Sequence, residues 1–350
     1  MRARASERPR RWAGCGLAAW ALLVSGLSAA PAAPAEPEFE RAKLKEALAW
    51  INQPAEALYK YDYVMTAKVR FLFFWVGRDD VGGGFIRRSV DRSDPHRELI
   101  EVLFGSDPAK APRRINRWGA GTEVVRRPET GGPAPASGFI GFMKKSEGES
   151  VAEMESELAA EQDQGRHLFQ AILSRVDPNV ALAEVLPFYS DRDFNLHELE
   201  VAQKMVFTRF SGGKLRRLER RSDDGCRGNL GFLATLAELI DAALEGARAP
   251  QSRCYIYNAR RYTATLERVK PIERETIKVK LHGSDRALRA DYENLLKARF
   301  RIRRSDSDQT TSFELLLGTA GELRGVPIQI VHQPNFWFKV VLNLKRGQFT

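Results

Sequence analysis

Between Tyr59 and Phe71 the chain alternates with a period of two. Tyr59, Tyr61, Tyr63, Met65, Ala67, Val69 and Phe71 fall on one side, Lys60, Asp62, Thr66, Lys68 and Arg70 on the other, and Val64 is the one apolar intruder. Successive side chains of a strand point to opposite faces, so this spacing predicts a long strand with one buried and one wet face. Just upstream the period is helical: Phe39, Leu44, Ala47, Leu48 and Ile51 share a stripe, and Pro54 ends the pattern. From Phe71 to Val76 the run Phe-Leu-Phe-Phe-Trp-Val is apolar on both faces, which fits either a second layer over that end or an exposed apolar lip. Arg78-Asp79-Asp80 and Gly82-Gly83-Gly84 then predict a turn, with a paired strand returning from Phe85.

Segments 98–104 and 114–126 read as further strands, and the Pro/Gly/Ala/Ser stretch 128–138 as a loop or linker. Helices are expected over 148–163, opened by the capping-box spacing Ser150…Glu153, over 195–205, and over 229–245. In the last of these, Leu230, Leu233, Leu236, Ala237, Ile240 and Leu244 form one stripe and Gly246 the stop. The final hundred residues read as antiparallel strands over 253–258, 261–269, 276–282, 296–304, 311–317, 326–333 and 336–344, with turns at Asn258-Ala259-Arg260 and from Gly321 to Gly325. Two groups of strands around a helical middle give an α+β class: a curved, mostly antiparallel, half-barrel-like sheet with packed helices. The divisions are 1–35 as an export signal, 36–145 as an N-terminal helix with strands, 146–250 as a helical middle and 251–350 as the C-terminal antiparallel region; 36–350 also reads as a single domain.

The first 35 residues change the picture of where this sheet works. Arg2, Arg4, Arg8, Arg10 and Arg11 precede an uncharged run from Trp12 to Ala30, and Ala-x-Ala sites end at Ala32 and Ala35. That is the layout of an export signal, placing the body in the periplasm or cell envelope; an uncleaved inner-membrane anchor is the other reading of the same run. Without the signal the formal charge of +10 falls to about +6, from 50 Lys+Arg against 44 Asp+Glu. Cys226 and Cys254 are then the remaining cysteines, and an even pair in an oxidising compartment predicts a disulfide.

The C-terminal third carries a resemblance. A helix ending near residue 245 leads into Tyr255-Ile256-Tyr257-Asn258-Ala259-Arg260-Arg261-Tyr262-Thr263-Ala264-Thr265-Leu266. The chain then closes with Leu323-Arg324-Gly325-Val326-Pro327-Ile328 and a strand ending Val340-Val341-Leu342-Asn343-Leu344. Over about 229–345 this resembles uncharacterised exported bacterial proteins with a curved antiparallel sheet, similar in shape to the half-barrel of periplasmic lipoprotein carriers. The resemblance implies an envelope location and a seat for an acyl chain or another apolar ligand, and it brings no catalytic residue with it.

Candidate chemistry narrows the reading further. Val81-Gly82-Gly83-Gly84-Phe85 has no Gly-x-Ser-x-Gly partner, and Trp118-Gly119-Ala120-Gly121 lacks the third glycine of a dinucleotide fingerprint. His96, His167, His197, His282 and His332 have no helical pair spacing, so no metal and no cofactor are called, and no catalytic residue is named. The alternating row Lys297, Arg299, Arg301 and Arg303 opposes Ala298, Phe300 and Ile302; acidic neighbours such as Glu314 or an anionic envelope surface are its two expected partners. Nucleic acid is excluded by export, and protein partners stay unassigned. Phe71, Phe73, Trp75, Phe336 and Phe338 are the candidate ligand-pocket residues, with core packing as the alternative, and 229–245 the candidate lid. The expected function is an exported, non-enzymatic protein binding a lipophilic ligand. Two alternatives stand beside it: a ligand-free structural or interaction protein, and a hydrolase with dispersed active-site residues.

Overall fold

A computed structural model of the protein describes residues 37–71, 74–126, 136–144, 167–177, 179–207, 213–220, 226, 231–281, 286–308 and 310–346. The export signal expected over 1–35, Phe73, the helix expected over 148–163 and most of the expected 128–138 loop lie outside the described residues. Helix α1 (Pro37–Ile51) precedes β1 (Ala55–Phe71), β2 (Phe74–Asp91), β3 (Asp94–Ser106), β4 (Trp118–Arg126), β5 (Ala136–Lys144), β6 (His167–Val176) and β7 (Val180–Ser190). Helix α2 (Leu199–Phe207), β8 (Lys214–Glu219) and α3 (Phe232–Leu244) follow. The chain ends with β9 (Gln251–Tyr257), β10 (Arg260–Lys280), β11 (Ala287–Arg304), β12 (Thr310–Gly318), β13 (Pro327–Asn335) and β14 (Phe338–Leu344).

All fourteen strands belong to one antiparallel sheet ordered β8-β7-β6-β5-β4-β3-β2-β1-β14-β13-β12-β11-β10-β9. The first and last strands are therefore neighbours at its centre, with Tyr63 opposite Leu344 and Val69 opposite Phe338. The open edges, β8 and β9, come from the middle of the chain. The sheet curls until these edges approach. Cys226, beyond β8, is disulfide-bonded to Cys254 of β9. Cys254 and Ile256 pack on Val176 and Ala181, and the Tyr257 ring meets Phe139 of β5 edge-on at 4.9 Å.

Curvature gives the sheet an inner and an outer face, each with its own cover. On the inner face α3 packs its Leu239, Ile240 and Ala243 against Tyr255, Leu266, Phe300 and Leu317, and Ala234 reaches Val125 of β4. The outer face of β4–β7 is covered by α1 and the α2 region, with Leu44, Phe142, Phe169, Leu182 and Phe188 buried between them. Over the other half the long β10–β11 hairpin folds back on the sheet that produces it. Ile277, Val279 and Ala290 then meet Leu316 and Ile328, and the Asn343 side chain donates to the Lys278 carbonyl at 3.0 Å.

Several expectations are corrected. Gly82-Gly83-Gly84 is not a turn but lies inside β2. A Cβ on Gly83 would overlap the Tyr63 carbonyl and one on Gly84 the Leu103 carbonyl, so these glycines permit close approach of the flanking strands instead of reversing the chain. Among the described residues of 146–250, helix is confined to α2, the short 3-10 turn before it and α3, and the strands β6, β7 and β8 fall there as well. The strands expected at 261–269 and 276–282 are one continuous β10. Its Pro271 lies past Leu266, the last residue paired with β9, where an edge strand tolerates a missing donor. Phe39, placed on the buried stripe of α1, is exposed, with the Lys43 ammonium 5.0 Å over its ring.

Candidate functional site

The most distinctive surface is a ledge on the inner face of the central strands. Cross-strand register places Ala67 of β1 opposite Val340, Val340 opposite His332, and His332 opposite Phe313. One pair towards the chain centre, Met65, Leu342 and Ile330 are in line; one pair outward, Val69 is opposite Phe338. Residues in register share a face, so Met65, Ala67, Val69, Phe338, Val340, Ile330 and Phe313 form a strip that is apolar except for His332, whose Nδ1 lies 3.2 Å from the Ser312 carbonyl oxygen. Further down the same face, Tyr63, Leu344, Leu315, Leu317 and Phe300 are buried. On the ledge itself the side chains are only half-buried, and Val69 is exposed.

The sequence-derived pocket residues gather at the end of this ledge without forming a single wall. Phe338 stands on it, half-buried against the Trp337 ring at 5.9 Å. Phe71 is paired in register with Phe74 at the tip of the β1–β2 hairpin, and Phe73 lies outside the described residues. Trp75 is opposite Arg70 and therefore on the outer face, where the Lys339 ammonium sits 4.7 Å over its ring. Phe336 is in the β13–β14 turn and exposed. Of the two explanations for the apolar run 71–76, the exposed lip fits Phe74 and Val76, both more than half exposed. Met65, Ala67, Ile330, Phe313 and Val340 were missed as site residues. Their signal was the alternation in β1, but the partner strands come from the opposite end of the chain.

The basic row points outward, as its alternation requires. Lys297 is 2.9 Å from the Glu314 carboxylate, and Glu267 receives both Arg299 at 3.2 Å and Arg301 at 3.0 Å. Arg303 is exposed at the end of the row. The acidic-neighbour expectation therefore accounts for three of the four cations. Arg268, Lys270, Lys297 and Arg299 line an outer groove of about 320 Å³ together with Glu275 and Glu314.

Helix α3 is fixed in the sheet by a buried carboxylate. Glu123 of β4 accepts the backbone N–H of Leu233 at 3.0 Å and of Ala234 at 2.8 Å, capping the helix N-terminus from across the inner face. Gly231 allows this approach, because a Cβ there would overlap the carboxyl group. Burial pushes the Glu123 carboxyl up to about 7, against the lowering effect of these N–H groups. The described part of the candidate lid, α3, thus lies against the inner face with Leu239 fully buried, held at its N-terminus by Glu123.

His197 Nε2 is 3.6 Å from Asp107 in a cleft of about 310 Å³ that also holds Asp80 and Lys110. Tyr63 borders this cleft only through its backbone side, because its ring turns to the inner face, where the hydroxyl donates to the Pro327 carbonyl at 2.9 Å. Among the described residues no group of three or more His, Cys, Asp or Glu side chains is placed to hold a metal ion, and no helix is long and apolar enough to cross a membrane. Compared with known proteins, the chain matches no family model, no curated protein and no solved structure.

Proposed function

We propose that this is an exported envelope protein holding an acyl chain or similar lipophilic molecule on the inner face of its curved sheet, in the manner of the half-barrel carriers it resembles. The ledge carries this reading. Four adjacent strands contribute apolar, mostly half-buried side chains to one strip, which is roughly 14 Å across at the usual strand spacing. Each methylene removed from water there contributes roughly 0.8 kcal/mol, enough for a long chain to bind without any polar anchor. Helix α3 is the floor, and the aromatic hairpin tips form the rim.

The test is extraction of the exported protein with organic solvent, mass spectrometry of the extract, and uptake of a fluorescent fatty acid. Stoichiometric lipid and uptake are expected, and Val340→Asp, at the centre of the ledge, should abolish both while leaving the unfolding midpoint nearly unchanged. Folded protein that carries no lipid and takes up no fatty acid would overturn the reading. That outcome would favour a ligand-free scaffold, which draws its own support from the dense packing of Leu239, Leu266, Phe300 and Leu317 beneath the ledge.

A further inference from the structure

Beyond the ledge the β1–β2 and β13–β14 hairpins end side by side, joined by the Arg70 N–H donating to the Trp337 carbonyl at 2.7 Å. Phe336 is 73% exposed, Phe74 56%, Val76 54%, and Trp337 and Val69 46% each. These five are half of all the large apolar side chains exposed among the described residues. Single exposed apolar residues are ordinary, but five on two touching tips form a patch that needs a partner. The patch also projects. Strand β2 pairs with β3 only from Gly82 onward, so residues 74–78 extend past β3 with β1 as their strand neighbour.

Directly behind the apex, on the outer face, Lys68 is opposite Lys339 in the ladder. Like charges directly opposed on one face repel, and here no carboxylate lies between them in register. Burial, and after it the Lys68 ammonium, depresses the Lys339 ammonium, while Glu314 pulls the other way. Asp79, the nearest acid on β2, is taken up by Lys278 and by the Thr66 hydroxyl. Arg70 completes a belt of three cations, one to three residues behind Phe71, which at the rise of a strand is about 3 to 10 Å below the apex. An apolar apex with an indole, followed by cations at that depth, matches the layering of a bilayer surface. A folded protein partner has no such layering.

We propose that the two hairpin tips form a membrane-docking element. Phe74, Phe336 and Trp337 enter the interfacial layer of an anionic bilayer, and Lys68, Arg70 and Lys339 meet its phosphate groups. The docked rim would open the ledge towards the lipid, but docking stands whether or not the ledge holds a ligand.

The test uses residues 37–350, which form one compact unit with its own cores, and co-sedimentation with two kinds of vesicle, phosphatidylcholine alone and phosphatidylcholine with phosphatidylglycerol. Salt-sensitive binding to the anionic vesicles is expected. The exposed-site variant Phe74→Ser/Phe336→Ser/Trp337→Ser should lose about a hundredfold in partitioning at an unchanged unfolding midpoint. Lys68→Gln/Lys339→Gln should lose about thirtyfold, on anionic vesicles only. Should the triple variant fold poorly, quenching of tryptophan emission by brominated lipid, lost in Trp337→Ser alone, gives the same answer. Absence of binding to anionic vesicles, or full binding by the serine variants, overturns docking. Fatty-acid uptake that persists in a variant unable to bind vesicles would leave the ledge reading intact and separate the two.

Discussion

The inner face of the central strands has two ends built from the same kinds of residue in the same ladders, and they have different fates. Beneath α3, Leu266 of β10, Phe300 of β11 and Leu317 of β12 are fully buried; on the same face, Phe313 farther along β12 and Ile330, Val340 and Met65 on the next three strands are not. Strand chemistry does not separate them. What separates them is a helix held in place by one carboxylate at its N-terminus, so the line between core and candidate binding surface is drawn by a contact between distant parts of the chain.

The sharpest way to break this comparison is to hollow out the covered end. Leu239→Ala removes a fully buried side chain from α3 and should cost about 3–4 kcal/mol in chemical denaturation. Phe313→Ala on the ledge should cost clearly less, and equal losses would mean that the ledge is core. Replacing Cys226 and Cys254 together by alanine releases a link spanning 28 residues and should cost about 3 kcal/mol, read the same way under oxidising conditions.

The helix anchor makes a prediction in pH. The Glu123 carboxyl, pushed up to about 7 from an ordinary value of 4.5, binds its proton more tightly folded than unfolded. The stability contributed by this group should therefore be fully present in acid, fall as pH rises through the window from 4.5 to 7, and level off above it. Between pH 5 and 8 this contribution amounts to about 2 kcal/mol, and Glu123→Gln should remove it from the pH profile of the urea midpoint. The smallest effect is expected in the basic row. Lys297→Ala breaks an exposed ion pair with Glu314 and should change stability by about 0.5 kcal/mol or less.

Much of this architecture is legible in the sequence where one face is wet. The C-terminal strands from β9 to β14, and β1, announce themselves by alternation. The signal fails where both faces are covered: in β6, Phe169, Ala171, Ile172, Leu173 and Ser174 are all buried, so no alternation survives and the segment reads as featureless. Glycine misled in the opposite way. In Gly82-Gly83-Gly84 it marks crowding between strands, and punctuation and crowding look alike in one dimension. Of the candidate site, the aromatic clusters at 71–75 and 336–338 were legible as a group, and so was the outward basic row. Which face each aromatic takes was not, because it depends on the register of β1 against β14.

That central pairing has a consequence for how the chain acquires its structure. Synthesis delivers β1 first and β14 last, yet the two must lie side by side. Until the final strand arrives, β1 presents a bare edge with unsatisfied amides and carbonyls, a template for pairing with other chains. Closing the ladder requires the longest possible loop in this topology, which favours slow assembly. A nascent chain stalled short of Phe338 should therefore be a far better aggregation seed than the full-length chain nicked between β8 and β9, which keeps β14 on β1.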